Sequence, residues 1–380
     1  MSIPFHTFIL KIVSRCNLNC SYCFVYNLSD SRWRDQPPTM SPTTVKRVAT
    51  RILEHCQAHK KTTVSIVFHG GEPLLSGIGH LQELVDTIDT AFVGSDIRPS
   101  IGIQSNGLLF TEEIGELLLR RRMSIGISID GPPKVNDVFR VDHRGQPSSK
   151  LLEKKLELLT SPRYRSSFSG FLSVINIDTD PLEVFRYLDS FGPPAIDFLL
   201  PYDNHDRHPR GKEDFNATPY ADWLIKVFDD WFDRKLTTSV RTFNNLIRLV
   251  LGAPSSVESV GLDPVDLIVV ETNGDIEAVD SLKGTYDGAT RLGLNVFDHN
   301  FDTALEHLAV QNRQNGAAGL CQQCRNCPVV SFCGGGYIPN RYSAERGFDN
   351  PSVFCTDLEK LIRHIYGKVV HEIARNKVTV

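Results

Sequence analysis

The sequence predicts an α/β fold, with six strand–helix units curling into a partial (β/α)6 barrel over residues 5–200 and a cysteine-rich extension behind it. Three observations lead there. Short apolar runs alternate with amphipathic stretches of helical period through the first half of the chain. Polar and glycine-rich motifs follow directly on those runs, at the edge where a barrel places its chemistry. Eight of the nine cysteines fall in two groups, at 16–23 and 321–355.

The first strand is the apolar run Phe8–Val13. Ser41-Pro42 reads as a helix cap with a first-turn proline. Val45, Val48, Ala49, Ile52, Leu53 and Cys56 then share one helical stripe, which makes Cys56 a buried hydrophobe rather than a ligand. Further strands read at Val64–His69, Ser100–Ser105, Ser124–Asp130, Phe168–Asn176 and Ala195–Leu200, with helices over 81–92, 111–122, 148–160 and 180–191. A polar break over 203–216 precedes helices at Pro219–Arg234 and Thr242–Leu251 and a linker at Ala253–Pro264. Asn273-Gly274 turns a hairpin of Leu267–Val270 and Ile276–Val279, and a last helix covers Thr356–Ala374. The expected division is a barrel over 1–203, bridging helices over 204–265, and an extension over 266–380.

A hydrophobic content of 41% with 23% charged residues is that of a globular protein. The net charge of −4 gives no reason to expect nucleic acid or an anionic membrane as partner. No apolar run approaches the ~18 residues of a membrane span, and the N-terminus lacks a signal-peptide pattern. The expected location is therefore the cytoplasm, where thiols stay reduced and clustered cysteines are metal ligands.

Cys16-Asn17-Leu18-Asn19-Cys20-Ser21-Tyr22-Cys23 follows the first strand. Three thiols from one short loop can bind three irons of a cubic cluster, leaving the fourth iron open. A zinc site with His6 or Cys56 as fourth ligand is the competing reading. The spacing, with Tyr22 before the last cysteine, resembles the radical S-adenosylmethionine (radical SAM) enzymes. That resemblance implies a [4Fe–4S] cluster on Cys16, Cys20 and Cys23 whose open iron chelates the cofactor. It also implies a flavodoxin- or ferredoxin-type reductant.

Gly70-Gly71-Glu72-Pro73, after the second strand, matches the family's Gly-Gly-Glu-Pro motif and implies backbone contact with the methionine amine. Ser105-Asn106 and Ser128-Ile129-Asp130 stand at strand ends, where their side chains can bind ribose hydroxyls and the methionine carboxylate. Arg140 can pair with that carboxylate. Each residue alone is more often a turn or cap residue.

Cys324, Cys327 and Cys333, then Gly334-Gly335-Gly336 and Cys355, resemble the SPASM extension of radical SAM enzymes that act on peptides and proteins. The resemblance implies one auxiliary [4Fe–4S] cluster on those four cysteines. A zinc ribbon is the alternative. Tyr337 stands where the family usually has a further cysteine, and the hairpin over 273–280 has none of its flanking cysteines. The inner auxiliary cluster is therefore not expected. Cys321 is an extra thiol that could replace one of the four.

Asp280 follows the hairpin where related maturases resemble a catalytic base at that place; an exposed turn carboxylate is the other reading. His69 reads as a satisfied strand-end histidine. The run Gly347–Cys355 and the cysteine-free hairpin look like the FxsB-type maturases, implying C–C crosslinking (a cyclophane) of a ribosomal precursor peptide. Formylglycine formation, epimerisation, thioether formation and a non-catalytic metal scaffold stay open.

Overall fold

A computed structural model describes residues 2–378, and its spine is β1 (Thr7–Val13). β2 (Thr63–Gly70), β3 (Arg98–Ser105) and β4 (Ser124–Ser128) follow it in parallel order, with Phe8 opposite Ile66, Phe68 opposite Ile103, and Ile103 opposite Ile125. Phe8, Leu10, Ile12, Ile66, Phe68, Ile103 and Ile125 are all buried, which is why the strands read as near-continuous apolar runs. Each such side chain withdrawn from water contributes about 1.5–3 kcal/mol.

The helices between the strands start on the expected signals. Ser41 caps Pro42–Ala58, its hydroxyl accepting from Thr44 N at 3.1 Å. Thr111 caps Glu112–Arg121, which ends on Arg122 in the left-handed region. Cys56 lies fully buried on its stripe. The helix Pro133–Phe139 and the strand β10 (Arg291–Asn295) have no counterpart in the sequence reading.

The chain packs as two units. One comprises Met1–Ile129, Asn136–Phe171 and Asp266–Asn312; the other comprises Asp130–Val135, Leu172–Val265 and Arg313–Val380. The chain passes between them within β5 (Phe168–Val174). The hairpin of β8 (Leu267–Val270) and β9 (Asp275–Glu277) forms as the Asn-Gly turn requires, but β8 also pairs in parallel with β1, Phe8 lying opposite Ile268. The hairpin thus extends the barrel sheet on its far side.

In the second unit β6 (Ala195–Leu199) pairs with the short β7 (Ser239–Val240). Helices Pro219–Asp233 and Cys355–Val378 pack together, Phe228 against His364, while Tyr220 packs on Phe354 just before the second helix. Asp357 joins them: its carboxylate accepts from Tyr220 N at 2.9 Å, Ala221 N at 3.0 Å and the buried Lys212 ammonium at 2.8 Å. That clamp fixes the start of the last helix, and with it Cys355.

Candidate active site

The loop after β1 is held by its own backbone and by the segment over 139–143. Cys23 N donates to Cys20 O at 2.9 Å, and Asn27 Nδ2 donates to Cys20 O at 2.8 Å. Asn19 N donates to Val141 O at 2.8 Å, and His143 bonds Cys16 O at 2.9 Å. The buried Leu18 anchors the loop, leaving Cys16 and Cys23 half-buried around it. Burial pushes the Cys16 thiol up to about 12 and raises Cys23 as well. As neutral thiols they sit there without penalty; to become thiolates side by side they would need a bound cation.

Gly70 and Gly71 run against this loop. A Cβ on Gly70, at φ +147°, would stand 2.0 Å from Val13 O; one on Gly71 would stand 1.9 Å from Tyr26 Oη and 2.2 Å from Arg15 O. Gly71 N donates to Val13 O at 2.8 Å and Glu72 N to Arg15 O at 2.9 Å. The glycines therefore let two backbones close on each other.

Glu72 is fully buried, and its partners are protein groups. It accepts from Ser105 Oγ at 2.8 Å, Asn106 N at 2.7 Å and Leu74 N at 2.9 Å. Glu72 thereby ties the Gly-Gly-Glu-Pro turn to the end of β3, with Pro73 buried in the next turn. Asn106 is aimed at the cysteine loop, its Nδ2 lying 2.7 Å from Asn17 Oδ1 and 3.8 Å from Cys16 Sγ. Arg140 Nη1 donates to Tyr22 Oη at 2.9 Å, one residue from Cys23. Ser128 Oγ accepts from Gln104 Nε2 at 2.9 Å. Asp130 belongs to the second unit, where its carboxylate accepts from Val174 N at 3.0 Å.

Asp280 is buried, which removes the exposed-turn reading. It starts a short 3-10 turn, Asp280–Gly284, and pairs with the Lys11 ammonium. Lys11 Nζ also lies 3.0 Å from His69 Nδ1 and over the ring of Phe24, next to Cys23. Burial pushes the Asp280 carboxyl up, but Lys11 and then His69 hold it at about 2. Desolvation and the Lys11 charge push His69 down to about 4, so the ring is neutral at ordinary pH. Lys11 was not singled out from sequence; its signal is a lone charge inside the run Phe8–Val13. The cysteine-free hairpin holds a buried ion network instead, in which Lys283 bridges Glu271 and Glu277, and Arg32 joins Glu277 at 2.8 Å and Asp30 at 3.0 Å.

In the second unit Cys324, Cys327, Cys333 and Cys355 line one cavity of about 80 Å³ with Gly335 and Glu359. The consecutive glycines 334–336 all have positive φ, of 62°, 81° and 68°, and the N–H groups of Gly335 and Gly336 bond Cys333. Cys321 is buried and hydrogen-bonded to Cys324 through the side chains. Burial pushes Cys333 up to about 12 and Cys355 to about 11.

Among the described residues, His, Cys, Asp or Glu ligand atoms gather in threes within 4.8 Å at His55, His59 and Asp302. The all-thiol donor sets of the two cysteine groups are soft and suit an iron–sulfur cluster, as they also suit zinc.

The radical SAM superfamily model matches residues 10–165, which span this cysteine loop, the Gly-Gly turn and Arg140. The chain carries a radical SAM domain. It is an enzyme, and that domain implies S-adenosylmethionine and a [4Fe–4S] cluster as cofactors. Over its whole length it is similar to a cysteine-type anaerobic sulfatase-maturating enzyme of Clostridium perfringens (strain 13 / Type A), at 24% identity covering 98% of this chain and 99% of the relative. The radical SAM fold with its C-terminal extension is shared with native anSMEcpe with bound AdoMet (TM-score 0.84, 22% identity, 97% and 99% of the two chains). It is also shared with Streptococcus suis SuiB bound to precursor peptide SuiA (TM-score 0.60, 15% identity, 93% and 76%). Among the described residues no helix is long and apolar enough to cross a membrane.

Proposed function

We propose that this radical SAM enzyme oxidises a ribosomally made precursor peptide, joining an aromatic ring to a neighbouring side chain through a new C–C bond. The observation that carries the reading is the Lys11–Asp280 pair, which sets a buried, ionised carboxylate beside the cysteine loop. Loaded with cofactors, the Cys16–Cys20–Cys23 loop supplies reductive cleavage of S-adenosylmethionine to methionine and a 5′-deoxyadenosyl radical, and a cluster on Cys324, Cys327, Cys333 and Cys355 supplies an electron acceptor.

The chain's own residues do the rest. Gly70 and Gly71 set the turn against the loop, and Asn106, Tyr22 and Arg140 present polar groups to the cofactor's methionine end. Glu72 and Ser105 act by holding Asn106 in place. Ser128 completes the proposed cofactor contacts at a strand end. Crosslinking removes two hydrogens from the peptide, one as an atom and one as a proton and an electron. Asp280 receives that proton, and Lys11 keeps it ionised beforehand. Cys321 is left out of this proposed ligand set: it is hydrogen-bonded to Cys324 and does not line the cavity of the other four.

A peptide substrate is supported by the likeness to SuiB, whose structure holds a precursor peptide. A second reading, oxidation of a sulfatase cysteine or serine to formylglycine, is favoured by the full-length likeness to the C. perfringens maturase. Mass spectrometry after anaerobic co-expression with a short peptide encoded beside this chain's gene tests the proposal. Loss of two hydrogens, absent with Cys16→Ala, supports crosslinking, and fragmentation places the bond. An unchanged peptide together with formylglycine in a sulfatase peptide would replace it with the second reading.

A further inference from the structure

We propose that Arg341 is a hydrogen-bond donor and counter-charge to the auxiliary cluster on Cys324, Cys327, Cys333 and Cys355, and so sets that cluster's reduction potential; this rests on the ligand set proposed above. Arg341 ends the short turn Ile338–Arg341 and is 6% exposed. Its Nε and Nη1 are buried with no hydrogen-bond partner. Those two nitrogens carry three N–H donors, and leaving them unmade on a buried cation is costly, so the arrangement asks for an anionic acceptor.

The neighbouring protein carboxylate is already engaged. Glu258 Oε1 accepts from Arg313 Nε at 2.9 Å, and Oε2 is ion-paired with Arg313 Nη2 at 2.8 Å. Nη1 instead packs on Gly335, where an added Cβ would stand 3.3 Å from it. Gly335 lines the same cavity as the four cysteines. Of the thiols, Cys324 interacts most with the guanidinium, followed by Cys321 and Cys333.

The backbone beneath Arg341 is pinned. Asn340 Nδ2 donates to Pro201 O at 2.9 Å and Asp203 O at 2.7 Å, and Asn350 Nδ2 donates to Arg341 O at 3.0 Å. A thiolate-bound cluster is anionic and becomes more so on reduction. A fixed cation that donates to its sulfurs therefore favours the reduced form and raises the potential.

The test uses the full chain with Cys16, Cys20 and Cys23 changed to Ala, so that only auxiliary iron remains. About four irons per chain are expected; an iron-free chain would refute the ligand set, and this proposal with it. In iron-replete protein, EPR-monitored redox titration should show R341Q lowering the reduction equilibrium constant about tenfold or more, ~59 mV for one electron. R341K, which keeps a point charge, should fall between. An unchanged potential in iron-replete R341Q overturns the proposal. Should R341Q fail to take up iron, pulsed EPR of the arginine-15N-labelled parent decides: a nitrogen coupling to the reduced cluster is expected, and its absence overturns the proposal.

Discussion

The Lys11 ammonium is ion-paired with the Asp280 carboxylate across 269 positions of sequence, with side-chain exposures of 3% and 10%. One partner comes from the middle of the first strand and the other from the turn behind the hairpin that pairs with it. The pairing of β8 with β1 is what brings them together.

Lys11→Met should strand Asp280 as an unpaired buried charge. The expected cost is about 3–5 kcal/mol of stability, as for other broken buried pairs. Urea unfolding at neutral pH measures it, and the Lys11→Met/Asp280→Asn double variant should recover much of the loss.

The acid limb of stability should carry the mark of His69. Its folded value, pushed down to about 4, lies below the ordinary ~6.5, so the unfolded chain binds the extra proton first. Stability from this group is complete above about 6.5 and falls by roughly 1.4 kcal/mol per pH unit down to about 4. His69→Gln should flatten that stretch of the curve. Asp280, held at about 2, loses its contribution only as the pH falls from about 4 through 2, so it adds no slope between pH 5 and 8.

Gly71→Ala would place a methyl group 2.2 Å from Arg15 O, with no flexible side chain to yield there. The cysteine loop must shift by a comparable amount, and S-adenosylmethionine cleavage should fall about 100-fold or more. Assay of 5′-deoxyadenosine together with iron content checks this.

Glu72→Gln replaces one accepting oxygen with a donor facing Asn106 N, or facing Ser105 and Leu74 N. A loss of about 1–3 kcal/mol is expected, read by thermal or urea unfolding.

The two kinds of C-terminal cysteine should separate by iron analysis. Cys324→Ala should lose the auxiliary iron, whereas Cys321→Ala should keep it.

Much of this site was legible because the chemistry requires particular residue types at short spacing. The cysteine loop, the Gly-Gly turn and the strand-end Asn106 are local patterns, and each lands beside the others once the parallel strands align. What failed to show in sequence depends on distant pairing. That Glu72 and Ser105 are partners of each other follows from the register of β2 and β3. The burial of Asp280 follows from β8 joining β1, which a hairpin signal says nothing about. Arg341 carries no motif at all; only its buried, unpartnered nitrogens beside the cysteine cavity mark it.

The most direct measurement is 5′-deoxyadenosine formation by anaerobically reconstituted, iron-replete protein given S-adenosylmethionine and dithionite. The account predicts steady formation by the intact chain and a drop of about 100-fold or more with Cys16→Ala, where the open-iron cluster is lost. No 5′-deoxyadenosine from iron-replete protein, or equal amounts from both, would contradict it.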